Sequence, residues 1–145
     1  MDIIVDIDGT IADIEHRRHW LKSTPKNWKQ FYANIENDIP IQPVIEVVKC
    51  LWRNTNNNII FCTGRGEEHR VKTTQWLRAN VIPPKHLYMR KYNDFRDDGV
   101  VKFELLQEIR AAGFNPTIAF DDRNRVVDMW RANGIICAQV APGDF

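Results

Sequence analysis

Five short apolar runs, Ile3 to Val5, Ile59 to Phe61, His86 to Met89, Thr117 to Phe120 and Ile135 to Val140, constrain this chain more than any other feature. Their length and β-branched content are those of strands buried on both faces, as in a parallel sheet. The segments between them follow a different period. From Pro43 onward, Val44, Ile45, Val48, Leu51 and Trp52 recur at helical spacing, with the proline in a first turn that tolerates it. A second helix is predicted from Glu67 and Glu68, through Val71 and Leu77, to about Arg78, its end charges matched to the helix dipole. A third is predicted over about Gly99 to Ala112, stopped by Gly113, and a fourth over about Asn124 to Asn133, stopped by Gly134. Trp52, Trp76 and Trp130 fall on these stretches and are expected in the core. Strands alternating with helices predict an α/β, Rossmann-like fold: a parallel sheet flanked by helices, with ligands at the carboxyl ends of the strands.

One stretch breaks the alternation. About thirty residues, Asp13 to Ile41, separate the first strand from the Pro43 helix and hold Trp20, Trp28, Phe31 and Tyr32. A structureless connection of that length is unusual in a compact domain, so a small helical insertion, cap-like over the site, is expected there. The 145 residues suit one domain, 1–145, and an apolar fraction of 43% with 10% aromatics excludes disorder as the main state. Cys50, Cys62 and Cys137 are too sparse for a disulfide framework and form no C-x-x-C pair, so they are expected to be buried apolar thiols in a reducing compartment. The start, Met1-Asp2-Ile3-Ile4-Val5-Asp6, lacks the basic and long apolar regions of a signal peptide, and no run is long enough to span a bilayer. A cytoplasmic location away from membranes follows as the expectation.

The chemistry should lie just after each strand. After the first come Asp6-Ile7-Asp8-Gly9-Thr10, two carboxylates one residue apart at the mouth of a buried strand, with a glycine that lets the chain turn. Such a pair calls for a cation. With no Cys or His beside it, an oxygen-only site points to Mg²⁺ rather than zinc. After the second strand, Thr63-Gly64-Arg65-Gly66 offers a hydroxyl, free backbone N–H groups and a guanidinium, which together can cradle a phosphate. Arg90, Asp94, Arg96 and Asp98 follow the third strand, with Lys102 on the next helix, and Asp121-Asp122-Arg123 closes the fourth. Asp6, Asp8, Asp121 and Asp122 are the candidate metal ligands, since like charges this dense resist ionisation unless a cation joins them.

These residues resemble the four ordered motifs of the haloacid dehalogenase superfamily of phosphatases: Asp6-Ile7-Asp8-Gly9-Thr10, Thr63-Gly64-Arg65, Lys102 and Asp121-Asp122. Within it the chain is most similar to the 3′-phosphatase domains of phage polynucleotide kinases. That likeness rests on Asp98 through Lys102, on Asp121-Asp122-Arg123 to Val126-Val127-Asp128-Met129-Trp130-Arg131, on Gln139-Val140-Ala141 and on Gly143-Asp144-Phe145. The insertion from Asp13 to Ile41 is longer than in those domains, and without a kinase half no 5′-phosphorylation is expected. The resemblance implies Asp6 as nucleophile, forming an aspartyl-phosphate, and Asp8 as the acid and base of the two half-reactions, its backbone carbonyl helping to hold Mg²⁺. It implies Thr63 and Gly64 on the phosphate, Lys102 on the nucleophile and the equatorial oxygens, and Asp122, backed by Asp121, on the metal. Arg65, Arg96 and Asp98 are candidates for substrate contact or support.

His16, Arg17, Arg18, His19, Trp20, Lys22, Lys26, Trp28 and Lys29 fall in a stretch with no acid. Basic side chains interleaved with aromatics suit a phosphodiester and a base, and Arg17 and Arg18 are candidate substrate contacts. The aromatics could equally pack the insertion onto the domain. The formal net charge of +1 is an average: residues 16–30 and 69–91 hold eleven Lys and Arg and no acid, leaving nine basic and nineteen acidic side chains elsewhere. That argues against a whole-surface DNA binder but not against a local site. The expected activity is therefore a Mg²⁺-dependent phosphomonoesterase, with a polynucleotide 3′-phosphate as first substrate. A 5′(3′)-nucleotidase acting on free nucleoside monophosphates is the alternative, and a non-catalytic binder of nucleic-acid ends a more remote one. Oligomeric state is left open.

Overall fold

The computed structural model describes residues 1–145. Strand β1 (Asp2–Val5) leads into a two-residue strand β2 (Ala12–Asp13), the short helices α1 (Glu15–Arg18) and α2 (Trp28–Ala33), and strand β3 (Ile39–Pro40). Then helix α3 (Gln42–Arg53), strand β4 (Asn58–Gly66), helix α4 (Arg70–Asn80), strand β5 (His86–Arg90), helix α5 (Asp98–Ala111), strand β6 (Pro116–Asp121), helix α6 (Asn124–Ala132) and strand β7 (Ile136–Gln139) alternate to the end. The five predicted strands are β1, β4, β5, β6 and β7. They form one parallel sheet in the order β5-β4-β1-β6-β7, with β1 in the middle.

Burial on both faces explains why β1 reads as an unbroken apolar run. Ile3 and Val5 face one way, joining Ile59 and Phe61 of β4, Ile45 and Val48 of α3, and Trp76 and Leu77 of α4. Ile4 faces the other, with Ile60, Ala119 and Cys137 against Val101, Leu105 and Ile109 of α5 and Val126 and Trp130 of α6. Removing one large side chain from either layer leaves a cavity.

Two expectations about burial are corrected. Trp76 and Trp130 are core, but Trp52 is 47% exposed; it lies one position past Leu51, off the inner stripe of α3, over a groove with Ile82 and Pro83. Val71 is exposed because α4 turns Thr73, Trp76 and Leu77 inward, and the opposite side of the turn faces solvent. Cys62 and Cys137 are buried, whereas Cys50 is exposed on the outer side of α3 beside Arg53. No helix is long and apolar enough to cross a membrane.

Residues 13–41 hold short helical turns, as expected, but with strand near either end. β2 and β3 pair antiparallel and close the neck, helped by the Ile41 N–H donating to the Ile11 carbonyl. Between them α2, capped by the Asn27 side chain, turns Phe31 inward, and Ile35 follows in the next turn. Phe31 and Ile35 anchor the insertion, while Trp28 at the start of α2 remains 46% exposed.

Candidate active site

Register puts the site together. Val5 pairs with Phe61 on one side and Phe120 on the other, so the next residue, Asp6, emerges level with Cys62 and Asp121 at the carboxyl edge of the sheet. Its backbone N–H still donates to the Phe120 carbonyl, fixing the direction of the side chain. Asp6 Oδ1 accepts from Lys102 Nζ at 2.6 Å and Oδ2 accepts from the Thr10 hydroxyl at 3.0 Å. The Thr10 hydroxyl is in place because the Ile7 carbonyl accepts from the N–H groups of Thr10, Ile11 and Ala12, winding a tight turn after Gly9. Gly9 has φ +83°, and a Cβ there would meet Asp122 Oδ2 at 2.1 Å. Only glycine lets this turn pass under Asp122.

Lys102 sits one turn after Asp98 on α5, so both project from the same face of that helix. Its ammonium bridges Asp6 and Asp121, the second contact at 2.9 Å. Burial alone would lower its pKa; the Asp121 and Asp6 carboxylates outweigh this and hold it well above the usual lysine range. Asp121 is saturated: Oδ2 also accepts from the Trp130 indole at 3.0 Å, and Oδ1 from the backbone N–H groups of Asp122 and Arg123. Trp130 is thus a positioning donor as well as core. No side chain donates to the Asp122 carboxylate.

Carboxylate oxygens of Asp6, Asp121 and Asp122 lie within 4.8 Å of one another. Burial pushes the Asp6 carboxyl well up, and the Asp121 and Asp122 charges add to this against the pull of Lys102. Burial followed by Asp121 pushes Asp122 up to about 6. A set of hard oxygen ligands that resists full ionisation, one of them without a side-chain donor, fits a divalent cation of the Mg²⁺ class. The Asp8 carboxylate is not in this set, so of the predicted ligands it could join only through its backbone.

A stability effect follows. Asp122 titrates higher in the fold than unfolded, so its charge disfavours the fold above pH 6 and has no effect below about pH 4. Asp122→Asn should stabilise the metal-free protein at pH 7.5 by up to about 3 kcal/mol. Melting in the presence of a chelator should therefore rise by several degrees. The gain should fade at pH 4, and Mg²⁺ should raise the melting point of the natural protein more than that of the variant.

Asp8 turns away from the acidic set into a buried ion-pair network. Its Oδ1 accepts from Arg65 Nη2 at 2.5 Å and Arg17 Nη2 at 2.8 Å, and Arg65 Nε lies 3.1 and 3.2 Å from its two oxygens. Burial would raise its pKa, but Arg65 and then Arg17 bring it down to about 2. Both guanidiniums also reach Asp38: Arg17 Nε and Nη2 at 2.7 and 2.8 Å, and Arg65 Nη2 at 2.7 Å. His16 Nε2 lies 2.8 Å from Asp38, and the Trp76 indole donates to its carbonyl. Asp38 was not foreseen. It stands at the far end of the insertion, at no motif spacing, and shares the short stretch between Ile35 and Ile39 with a second acid, Glu36, so nothing in the sequence marks it out.

The residues expected to cradle a phosphate lie together at the end of β4. Thr63 and Arg65 are buried at the end of β4, and the Thr63 hydroxyl accepts from the Arg65 N–H. A Cβ on Gly64 would meet Asp98 Oδ1 at 2.2 Å, so Asp98 walls this loop. Arg90 holds the wall, donating to the Gly64 carbonyl at 2.8 Å and to Asp98 at 3.0 Å. Of the basic candidates, Arg17 is fully buried under the Phe31 ring, at 4.2 Å, and keeps one unpartnered nitrogen, Nη1. Arg18 is on the rim, paired with Glu15 and facing the Phe145 ring, which Arg123 also faces. Arg96 lies outside, half exposed, in ion pairs with Asp94 and Glu104.

The family model for the polynucleotide kinase PNKP phosphatase domain matches residues 1–145. The fold superposes on Pnkp1 in the structure of a Pnkp1/Rnl/Hen1 RNA repair complex with a TM-score of 0.83 and 32% identity, covering 99% of this chain and 43% of that one. A protein of Autographa californica nuclear polyhedrosis virus, described as a bifunctional polynucleotide kinase/RNA ligase, is 28% identical over 130 residues, 89% of this chain and 17% of its own length. The chain thus spans less than half the length of either relative. CbbY from Rhodobacter sphaeroides, solved in complex with phosphate, shares the fold at a TM-score of 0.66 and 10% identity over 99% of this chain and 86% of that one.

Proposed function

Since the chain belongs to the family of polynucleotide kinase PNKP phosphatase domains, and so to the haloacid dehalogenase phosphatases, we propose that it removes the 3′-phosphate from polynucleotide ends. The proposed route is an aspartyl-phosphate on Asp6, in one catalytic unit whose cap is the 13–41 insertion. The observation that carries this is Asp6 itself, a buried carboxylate held by Lys102 and Thr10 at the carboxyl edge of the central strand.

In the first half-reaction an Asp6 oxygen attacks phosphorus, the bond to the 3′-oxygen breaks, and Asp8 gives that oxygen a proton. In the second, Asp8 takes a proton from water, the water oxygen attacks phosphorus, the bond to Asp6 breaks, and inorganic phosphate leaves. Asp8 is deprotonated while Arg65 and Arg17 both face it. A phosphate seated on Thr63 and the Gly64 N–H draws on the Arg65 charge, raises Asp8, and lets it hold a proton that the phosphate monoanion or water brings. Lys102 offsets charge on the equatorial oxygens. Mg²⁺ held by Asp6, Asp122 and the Asp8 carbonyl would cancel the repulsion between Asp6 and the phosphate. Asp121, its oxygens already taken, orients Lys102 and Asp122. Three unbridged cysteines suit work in the cytoplasm.

The test is phosphate release with Mg²⁺ from 3′-phosphorylated and 5′-phosphorylated oligonucleotides, as RNA and as DNA, and from free 3′- and 5′-mononucleotides. The 3′-phosphorylated oligonucleotides should give the highest kcat/KM. Faster release from free mononucleotides would make the protein a nucleotidase. Release from none would overturn the phosphatase reading.

A further inference from the structure

The outer face of the insertion is left unused by the reaction. Trp28 and Tyr32, four residues apart on α2, stack with ring centroids at 6.0 Å, and Tyr32 stacks on His69 at 4.4 Å. His69 lies in the turn that follows the phosphate-cradle loop at the end of β4. A column of rings therefore runs from a half-exposed indole down to the turn just beyond the strand that carries Thr63 and Gly64. Phe31 stands edge-on to Trp28 at 5.8 Å and covers the Arg17 guanidinium, so the column is fixed to the buried network beneath.

Packing accounts for only part of Trp28: it meets Phe31 and Tyr32, yet 46% of it stays exposed while Phe31 and Ile35 bury the insertion's apolar side. Around it Lys22, Lys26 and Lys29 are exposed and make no ion pair, and Lys26 Nζ lies 5.8 Å from the Trp28 ring. No acid occurs between residues 16 and 30. The second exposed aromatic set, Tyr92 and Phe95, has its neighbouring charges neutralised: Lys91 pairs with Glu108, and Arg96 with Asp94 and Glu104. The lysines of the insertion have no such acidic partners.

We propose that Trp28, with Lys22, Lys26 and Lys29, is a docking strip for the single strand that precedes the phosphorylated end, one nucleobase stacking on the indole and the phosphodiesters lying on the lysines. This builds on the polynucleotide reading above. It places the length preference in the insertion and leaves the reacting phosphate to the strand ends. Sequence tolerance is expected, because every base has a π face and no base-edge reader is involved.

The test is equilibrium binding of a fluorescent twelve-nucleotide single strand ending in a 3′-hydroxyl, read by anisotropy, so catalysis is not required. Trp28→Ala should weaken binding about tenfold, and Trp28→Phe should restore most of it. Replacing Lys22, Lys26 and Lys29 together by Gln should reduce the slope of log affinity against log salt by about 2. All four positions are on the surface, and near-ultraviolet circular dichroism checks the fold. Equal affinity of the natural protein, Trp28→Ala and the triple variant would overturn the strip even if phosphatase activity is found. Self-association abolished by Trp28→Ala, with oligonucleotide affinity unchanged, would likewise overturn it in favour of a second copy as occupant. Oligonucleotide binding lost in Trp28→Ala supports it even if no phosphate is ever released.

Discussion

Asp6→Asn should lower the rate of phosphate release by at least about 10⁴-fold, the scale on which removal of a covalent nucleophile acts. The loss should be almost entirely in kcat. Asn has the shape of Asp, its amide oxygen can still accept from Lys102, and Thr10 can reverse its hydroxyl to accept from the amide nitrogen. Lys102 also keeps Asp121 at 2.9 Å, so no buried charge is orphaned. The melting temperature should accordingly not fall, and substrate should still bind. A variant within tenfold of the natural rate would remove Asp6 from the reaction, since no other carboxylate sits between Lys102 and Thr10.

Asp38→Ala should be the most damaging substitution to the fold outside the apolar core. Arg17 and Arg65 are both fully buried, and each spends donors on Asp38. Removing one partner from a buried ion network leaves uncompensated charge and typically destabilises by about 3–5 kcal/mol. That is roughly 10 °C in melting temperature for a chain of this size. Asp38→Asn should do less harm, because its amide oxygen still accepts. Phosphatase activity should fall in both, as the freed guanidiniums crowd onto Asp8. The same network gives an acid limit. Asp8 titrates near 2 in the fold and higher unfolded, so its contribution is present above about pH 4 and is lost as pH falls toward 2. Chemical unfolding at pH 7, 4 and 3 measures both effects. A melting point for Asp38→Ala within 2 °C of the natural protein would show that the network carries no such load.

The sheet and the polar groups at its carboxyl edge are legible in the residues because one physical cause produces both. A parallel strand buried on both faces reads as an unbroken apolar run, and its carboxyl end is where polar groups can first reach solvent. Asp6, Arg90 and Asp121 each follow such a run directly, and Thr63 comes one residue later, after Cys62. Lys102 is harder, since its role depends on α5 bringing it back across the sheet, and the resemblance to known phosphatases supplied that role. Asp38 was not legible at all. Its partners Arg17 and Arg65 lie 21 and 27 residues away in sequence, and only the closure of the β2–β3 neck brings them together. Trp52 failed for a simpler reason. Helical spacing tells which residues share a stripe, and one position past the stripe is enough to reach water. Arg17 and Arg18 are neighbours in sequence with opposite fates for the same cause: successive residues on a helix point about 100° apart.

The central claim, a phosphoryl group carried covalently by Asp6, is tested most directly by rapid-quench kinetics of Asp8→Asn with p-nitrophenyl phosphate. That leaving group needs no proton, so the first half-reaction can proceed, while loss of the Asp8 base should stall the second. The expected result is a burst of one p-nitrophenolate per protein molecule, with a hydroxylamine-labile phosphoryl group on the peptide containing Asp6. Release without a burst, with Asp6 unlabelled throughout turnover, would contradict it and leave direct attack by water as the reaction.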